Sequence, residues 1–404
     1  MAKVYDNATD LITFARLQAQ NTTSGSSYLG SDGLLKFAAE DEPRIEYGSD
    51  GSLKGLLIEE QRTNLVTHSE DFTDASWTKI NTEALSLDAE GPDRRANSAV
   101  TLVDSNATGA GTVYIRDSVT VSTATTYTFS VLAKADQLTG ILLYLGGFTT
   151  PAPDGYYFDL QNGVVDDPYL VGTGLSPSIE DYGNGWYRCS LTFTTDASDT
   201  NGTLQLYVAD LSGTPTITVD LDGTSSILIY GAQLEEGSFA TSYIPTSGGQ
   251  KTRDPDIASI PVSAFGYNQT AGTLVVEVEP YVFSDGEYYL SLNDGTADER
   301  AEIIYSADVF ATMVSSGVQA SAINLGDASG AMKIASALKE NDAAACLNGG
   351  PIGTDTSTLM PVGVTTLTIG DRAVSSNTKL NGHIKSIQYY PRRLTDAQLQ
   401  ELTS

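Results

Sequence analysis

The sequence predicts an all-β protein that contains two antiparallel β-sandwiches. Short segments in which apolar and polar residues alternate recur along the chain, and this period of two is typical of strands with one buried face. Glycine, threonine and serine are abundant, whereas strong helix formers rarely cluster, which favours short strands joined by tight turns. With 404 residues, the chain is too long for one core and long enough for two or three domains.

Residues 1–63 precede the predicted sandwiches and consist of short hairpin pieces. Two Ser-Asp-Gly turns, Ser31–Gly33 and Ser49–Gly51, separate these pieces. The segment has too little apolar material for a core of its own. We therefore expect it to lie against another domain or another protein.

Residues 64–246 are predicted to form the first sandwich, because strand-like segments with alternating apolar residues follow one another there. These segments are Val119–Val121, Thr126–Lys134, Gly140–Leu145, Gly155–Gly163, Gly185–Thr194, Thr203–Val208 and Ser226–Glu235. Residues 247–262 contain glycines together with Pro255 and Pro261, a composition that is typical of a linker.

Residues 263–404 are predicted to form the second sandwich. Its predicted strands are Gly272–Pro280, Glu287–Leu292, Ala301–Tyr305, Ala331–Leu338, Asn341–Gly350 and Val364–Gly370. The chain closes with a strand that is broken at Pro391 and a short helix that is capped by Thr395. Leu399 and Leu402 lie on one side of that helix, so this side should be buried.

The charge of the chain excludes several classes of partner. The sequence holds 51 acidic and 22 basic residues, a formal net charge of -29, so its surface repels phosphate backbones and anionic membranes. Nucleic-acid binding and membrane insertion are therefore not expected. No segment has the charged start and apolar core of a signal peptide, so we expect synthesis in the cytoplasm without export by the usual route.

A search for catalytic residues favours a protein that is not an enzyme. The two histidines, His68 and His383, fall in different predicted domains, and no Gly-x-Ser-x-Gly elbow surrounds a serine. Adjacent acids such as Glu59-Glu60, Asp166-Asp167 and Glu235-Glu236 point to opposite faces of a strand. Such neighbours cannot face each other across a sugar, as the two carboxyl groups of a glycosidase do.

Metal binding stays open at this stage. Asp159, Asp220, Asp222 and Asp371 lie at predicted strand ends and could supply oxygen ligands to a structural calcium ion. Solvated turn aspartates are the alternative interpretation of the same residues. No other cofactor is expected.

One sheet face offers candidate glycan-binding residues. In Leu204–Val208, Gln205 and Tyr207 point away from the leucines, and Tyr144 likewise points away from its apolar neighbours. Aromatic rings stack on pyranose faces while amides bond to hydroxyls, so Tyr144, Gln205 and Tyr207 could bind a glycan together. The alternatives are an ordinary sandwich surface or a subunit interface. Trp186 is a further aromatic residue, and we favour a core position for it.

An ordered set of N-terminal residues fits the pattern IT-F-R … DG-L … EPR … GLLIEE-RTNL. The matching residues are Ile12, Thr13, Phe14, Arg16, Asp32, Gly33, Leu34, Glu42, Pro43, Arg44, Gly55–Glu60 and Arg62–Leu65. A second block follows at Glu235–Gly237 and Phe239–Thr246. With these two blocks, the chain resembles the structural proteins of tailed-phage and prophage virions, of the fibre, spike or decoration type.

Each predicted sandwich has a resemblance of its own. Residues 64–246 resemble jelly-roll carbohydrate-binding modules at Tyr127–Val131, Phe158–Leu160, Gly185–Arg188 and Gly231–Glu235. Residues 263–404 resemble laminin-G-like, or concanavalin A-like, sandwiches at Asn341-Asp342, Asn348-Gly349, Leu367–Asp371 and Leu380–Ile384. The fold that these resemblances imply is a jelly roll followed by a concanavalin A-like sandwich.

The resemblances together imply a function. The chain would be a virion protein that projects from the head or tail and contacts host-surface glycans. Residues 1–63 would dock on other virion proteins, and family analogy implies a homotrimer. Two alternatives remain, a glycan depolymerase of the virion and a purely architectural capsid or tail subunit.

Overall fold

The computed structural model describes residues 13–15, 26–372 and 379–404. Strands predominate in this part of the chain, which confirms the all-β prediction, and its one α-helix is α1 (Asp396–Thr403). Within the described residues, no helix is long and apolar enough to cross a membrane.

In the described part of the chain, thirty-two strands precede this helix. The first six are β1 (Thr13–Ala15), β2 (Ser27–Leu29), β3 (Leu35–Phe37), β4 (Ile45–Tyr47), β5 (Leu53–Ile58) and β6 (Arg62–Asn64). The next fourteen are β7 (Thr78–Ile80), β8 (Leu87–Ala89), β9 (Ala99–Val103), β10 (Ala110–Thr112), β11 (Tyr114–Thr120), β12 (Thr126–Ala135), β13 (Gly140–Gly146), β14 (Asp154–Asp159), β15 (Val164–Pro168), β16 (Leu175–Asp181), β17 (Trp186–Thr194), β18 (Asn201–Ala209), β19 (Thr218–Asp220) and β20 (Ser226–Glu236). The last twelve are β21 (Lys251–Arg253), β22 (Ile257–Pro261), β23 (Ala271–Pro280), β24 (Glu287–Asn293), β25 (Arg300–Ser306), β26 (Asp308–Ser315), β27 (Val318–Asn324), β28 (Met332–Lys339), β29 (Ala343–Leu347), β30 (Gly353–Asp355), β31 (Thr366–Ile369) and β32 (Gly382–Tyr390).

The first sandwich consists of two six-stranded sheets. Sheet 1 has the strand order β15-β14-β13-β18-β11-β7, and sheet 2 has the order β16-β17-β12-β20-β9-β8. Their paired strands are antiparallel. The facing sides of the two sheets bury a common core that includes Phe129, Leu143, Leu191, Leu206 and Ile229.

Trp186 lies in a second apolar cluster of the first sandwich. It is 1% exposed and packs edge-to-face with Tyr230, at a centroid distance of 6.5 Å. Leu35, from the β2–β3 hairpin, belongs to the same cluster. Trp186 is therefore buried, as we expected, although its partners include the N-terminal hairpin.

The second sandwich consists of two seven-stranded sheets. Sheet 3 has the order β1-β22-β31-β24-β25-β26-β27, and sheet 4 has the order β30-β29-β28-β23-β32-β5-β4. Helix α1 packs outside sheet 4, where Leu399 is fully buried beside Val275 and Ala335. The predicted cap is confirmed, because the Thr395 hydroxyl accepts from the Gln398 amide while the Gln398 side chain accepts from the Thr395 amide.

The N-terminal strands differ from the predicted separate segment. Strand β1 extends sheet 3, and β4 and β5 extend sheet 4, so part of residues 1–63 completes the second sandwich. Leu56 and Ile58 enter its core, where their apolar side chains are removed from water. The pairing of β5 with β32 also covers an edge of β32 that would otherwise be open. Ile12 and Arg16 of the N-terminal pattern lie outside the described residues.

The predicted linker, residues 247–262, also contains structure. Strand β21 pairs with β6, and β22 pairs with both β1 and β31. Pro261 is the last residue of β22 and lies beyond Ile257–Ser259, the residues of this strand that pair with β1. Pairing partners far away in the sequence explain why composition alone suggested a linker.

Candidate functional site

The structure brings the three predicted glycan-binding residues together on sheet 1. Tyr144 lies on β13 directly opposite Gln205 on β18, and Tyr207 follows two residues along the same strand. The rings of Tyr144 and Tyr207 meet edge-to-face at 6.0 Å between centroids. The Tyr207 hydroxyl donates to Gln205 Oε1 at 2.8 Å. These contacts place all three side chains on one face.

Three further tyrosines extend this group. Tyr114 on β11 stacks on Tyr207 with a centroid distance of 4.3 Å. Tyr169, just after β15, meets Tyr144 at 5.8 Å and Tyr157 of β14 at 6.1 Å, both edge-to-face. We call the five rings of Tyr114, Tyr144, Tyr157, Tyr169 and Tyr207 the tyrosine face.

The tyrosine face lies on the side of sheet 1 that is turned away from the sandwich core. Leu204, Leu206 and Val208 of β18 belong to the core between the sheets, so the alternating positions of that strand point outward. Leu142 and Ala209 form a buried floor under the rings, and both are fully covered. Tyrosine rings on an apolar floor are held in place rather than free to rotate into solvent.

Gln205 is more deeply buried than the sequence suggested. It is 8% exposed, and its side-chain nitrogen donates to the Thr203 hydroxyl at 2.9 Å while its oxygen accepts from Tyr207. One amide hydrogen and one lone pair are left for a ligand. Its main effect in this structure is to orient the Tyr207 ring.

The hydroxyl groups of Tyr144, Tyr157 and Tyr207 stay protonated at neutral pH. Burial, reinforced by neighbouring tyrosines, raises the pKa of Tyr144 and Tyr207 above the ordinary value, and it raises the pKa of Tyr157 to about 12. A neutral phenol both donates and accepts a hydrogen bond. Arg116, which is exposed and lies opposite Gln205 on β11, is the cation that adjoins these rings. The face can therefore stack on a flat apolar surface and bond to hydroxyl groups.

The four aspartates that we considered as calcium ligands do not all lie in one segment, since Asp220 and Asp222 are neighbours in the chain whereas Asp159 and Asp371 belong to other turns. Asp159 accepts from the Gln161 and Asn162 amides in a turn, and Asp222 accepts from the Thr224 amide. Asp371 pairs with Lys379. In residues 13–15, 26–372 and 379–404, no three His, Cys, Asp or Glu side chains gather as a metal site. The turn interpretation fits Asp159 and Asp222.

The two histidines bond to carboxylates in separate places. His68 Nδ1 lies 3.4 Å from Asp74 Oδ1 in the first sandwich. His383 Nε2 lies 2.7 Å from Glu46 Oε2 in the second, where both side chains are buried. Because the partner Glu46 comes from the N-terminal segment, sequence spacing gave no sign of this pair.

A buried ionic cluster joins the two sandwiches. Arg44 Nη1 lies 2.6 Å from Glu59 Oε2 at the end of β5 and 2.6 Å from Ser242 Oγ after β20, and its Nη2 bonds to Asp256. Arg253 Nη1 lies 3.0 Å from the same Glu59 oxygen. We call Arg44, Glu59, Ser242, Arg253 and Asp256 the ionic joint.

The charges of the ionic joint balance one another. Burial opposes ionisation of Glu59, but the Arg253 and Arg44 guanidinium groups and the Ser242 hydrogen bonds outweigh it and hold the pKa of Glu59 well below its ordinary value. Arg44 and Glu59 belong to the N-terminal pattern, and Ser242 belongs to the second block. Arg44, Glu59 and Ser242 thus have a structural role inside this chain, in the connection between its sandwiches.

Comparisons with known proteins identify no family for the chain. No protein-family model matches it, and no curated protein matches it in sequence. Among solved structures, the CBM40 module of a Ruminococcus gnavus IT-sialidase is 17% identical, covers 35% of this chain and 87% of its own, and has a TM-score of 0.32. Domain 4 of a Geobacillus stearothermophilus GH43 arabinanase, in complex with arabinotriose, is 13% identical over 42% of this chain and 83% of its own, with a TM-score of 0.31.

A third similar structure aligns with most of this chain. The LG4-5 domains of the mouse laminin alpha1 chain are 8% identical, cover 82% of this chain and 94% of their own, and have a TM-score of 0.26. All three are far below the similarity at which a likeness would bear on ligands. The sheet orders given above therefore establish the two sandwiches on their own.

Proposed function

We propose that this protein is a non-enzymatic glycan-binding protein whose ligand lies on the tyrosine face. The observation that supports the proposal is the gathering of five tyrosine rings on one outward sheet face, with Gln205 fixing one of them. Aromatic rings with neutral hydroxyls match the alternation of apolar and hydroxylated surfaces on a sugar.

The finer part of the proposal concerns the setting. The N-terminal pattern supports a structural protein of a tailed-phage virion that presents this face to host-surface glycans. Both edges of β5 are paired, with β4 and with β32, so docking of residues 1–63 on other virion proteins would use other parts of that segment. Electron microscopy of a particle that contains the chain tests this setting directly, and a homotrimer is the assembly we expect there.

A glycan array tests the binding site. We expect wild-type protein to bind a defined set of glycans, and Tyr207→Ala to weaken that binding by about fivefold or more, because truncating a central aromatic contact costs over about 1 kcal/mol. Tyr47→Ala removes a half-buried tyrosine from the second sandwich and should leave binding unchanged. Equal loss in both variants, or no binding by wild type, contradicts the proposal.

The enzyme alternative has a separate test. A glycan depolymerase would release reducing ends from the polysaccharide that the array identifies, whereas the proposed binding protein releases none. Release that is abolished by a single Asp or Glu substitution would replace the proposal with the depolymerase. Binding that is absent, together with stable incorporation into particles, would favour the purely architectural subunit.

A further inference from the structure

Arg116 shares the outward side of sheet 1 with the tyrosine face. Buried and exposed residues alternate along β11, and Arg116 is on the exposed side together with Tyr114. Tyr114 pairs with Tyr207 of β18, and Arg116 pairs with Gln205 of the same strand. Residues two apart on a strand are about 7 Å apart along it. The Arg116 guanidinium therefore lies one row away from the two stacked rings.

The charge of Arg116 reaches the tyrosine face. Burial and the neighbouring tyrosines raise the pKa of the Tyr207 hydroxyl, and the Arg116 charge opposes that rise. A cation that influences the hydroxyl of a ring is close enough to contact a ligand that covers the ring. Arg116 thus belongs to the surface that a ligand of the tyrosine face would touch.

The Arg116 guanidinium has no bonding partner among the described residues. The other arginines in the described ranges bond through their guanidinium groups to protein oxygens, with Arg392 as the exception. Counterions are plentiful in a chain that holds 51 acidic and 22 basic residues. An exposed arginine without one is therefore unusual in this protein.

The residues that pair with or flank Arg116 on this side of the sheet are uncharged. They are Thr78 of β7, Gln205 of β18, and Tyr114 and Ser118 of β11. The nearest charged residues along the two strands, Asp117 and Lys79, alternate with them and point to the other side. Asp117 is buried there, and Lys79 bonds to the carbonyl oxygen of Thr73. The positive charge of Arg116 is therefore open to an anion from solvent.

We infer that Arg116 binds the carboxylate of a hexuronate, so that the tyrosine face prefers glycans with uronic acid residues over their neutral counterparts. This inference rests on the proposed function of the tyrosine face. A guanidinium pairs with a carboxylate through two parallel hydrogen bonds. The carboxylate of a glucuronate or galacturonate leaves the sugar ring at its edge. It can reach Arg116 while a face of the same sugar stays free for aromatic contact.

Two further features favour separate carboxylates in the ligand over a densely charged polymer. Gln205 keeps one amide hydrogen after its bond to Thr203, and this hydrogen can donate to a carboxylate that is held by Arg116. The net charge of -29 repels polyanions, but charges more than about 8 Å away are largely screened at physiological ionic strength. One carboxylate beside one arginine satisfies both conditions.

Matched sugars test the preference by isothermal titration calorimetry. Cellobiouronate carries a carboxylate where cellobiose has a hydroxymethyl group, and digalacturonate differs from its dimethyl ester in charge. We expect wild type to bind at least one acidic member roughly tenfold more tightly than its neutral partner, a typical effect of hydrogen bonds to a charged group. Arg116→Met should bind both members alike and should bind the neutral member as wild type does.

The control is Arg392→Met, which replaces the other exposed arginine without a bonded guanidinium and should keep the wild-type preference. This arginine follows β32 in the second sandwich, away from the tyrosine face. Loss of the preference in both variants would mean that net charge, rather than the position of Arg116, selects the acidic sugar, and this would overturn the inference.

The remaining outcomes separate this inference from the proposed function. Equal binding of both members by wild type, or a preference that survives in Arg116→Met, overturns the inference and leaves the tyrosine face as a binding site. Where neither pair binds, the glycan array decides. A bound set without hexuronates overturns the inference, and a hexuronate set that Arg116→Met no longer binds supports it. If wild type binds nothing on the array, the proposed function fails and the inference with it.

Discussion

At the scale of single residues, Glu287, at the start of β24, is a fully buried acid whose two side-chain oxygens lack hydrogen bonds of normal geometry. Burial raises its pKa to about 8, with a small further increase from the Glu60 charge, and the nearby Ser284 amide opposes the shift only in part. Glu287 is therefore protonated in the folded protein at neutral pH.

This raised pKa predicts a pH-dependent stability. Between about pH 4.5 and 8 the folded state holds a proton that the unfolded state has released, so the free energy of unfolding falls as pH rises, by roughly 5 kcal/mol in total. Glu287→Gln removes this dependence, so the variant should be more stable than wild type at pH 9, by more than any difference between the two at pH 5. Urea unfolding at both pH values measures the difference.

The control for this prediction is Glu279→Gln, which changes an exposed acid of β23 and should leave the pH profile as in wild type. Parallel profiles for wild type and Glu287→Gln would show that Glu287 is ionised in the folded state, contrary to the prediction.

At the scale of strands, one glycine determines how β14 approaches β13 beneath the tyrosine face. A Cβ at Gly155 would lie 2.1 Å from the carbonyl oxygen of Leu143 and 2.9 Å from the Tyr144 Cα, both backbone atoms. Gly155→Ala should therefore separate the two strands and destabilise the protein by about 3 kcal/mol, near the upper end for overpacking. It should also weaken glycan binding, because Tyr144 and Tyr157 lie on the displaced strands.

The comparison for this prediction is Gly213→Ala, at an open position where a Cβ meets nothing within 4 Å. Urea unfolding should find that variant within about 0.5 kcal/mol of wild type. If Gly155→Ala were as stable as Gly213→Ala, β14 would not lie as close to β13 as the structure shows.

The strands also indicate how far the sequence could predict this protein. Alternation placed Tyr144, Gln205 and Tyr207 on one face correctly, because neighbouring positions on a strand point to opposite sides. The same rule could have added Tyr114, which alternates with Ile115. Tyr169 lies outside a strand, and the amide of the next residue, Leu170, donates to the Asp154 carboxylate. The alternation of residues along a strand does not predict such a contact.

Pairing between distant segments was the second limit of sequence analysis. Strand β5 pairs with β32 across more than three hundred residues, for example Ile58 with Gly382, and β1 pairs with β22. The apolar residues of Gly55–Ile58 indicate a buried strand, but they do not show which distant strand pairs with it. The separate N-terminal segment and the linker were predicted for this reason.

At the scale of the whole molecule, the first sandwich is an insertion into the second. Strands β1, β4 and β5 precede it and β22 onward follow it, yet they share sheets 3 and 4. The chain therefore crosses between the sandwiches twice, once after β5 and once after β20. The ionic joint connects the two crossings, because Glu59 lies on the first, Ser242, Arg253 and Asp256 lie on the second, and the Ser242 hydroxyl donates to Glu59. Two crossings and one buried cluster favour a fixed orientation of the two sandwiches.

Arg44 is the residue on which this connection depends most. Arg44→Met leaves the Asp256 carboxylate in the buried ionic joint without the guanidinium it bonds to, and breaking a buried pair typically costs about 3–5 kcal/mol. This cost weakens the second sandwich and its connection to the first. Calorimetry of the variant should therefore resolve two unfolding transitions, with that of the second sandwich at the lower temperature, whereas wild type should unfold in a single transition. Arg116→Met removes an exposed arginine and should keep the single wild-type transition. One unshifted transition in Arg44→Met would mean that the sandwiches are coupled by their strands alone, with the ionic joint adding nothing to their stability.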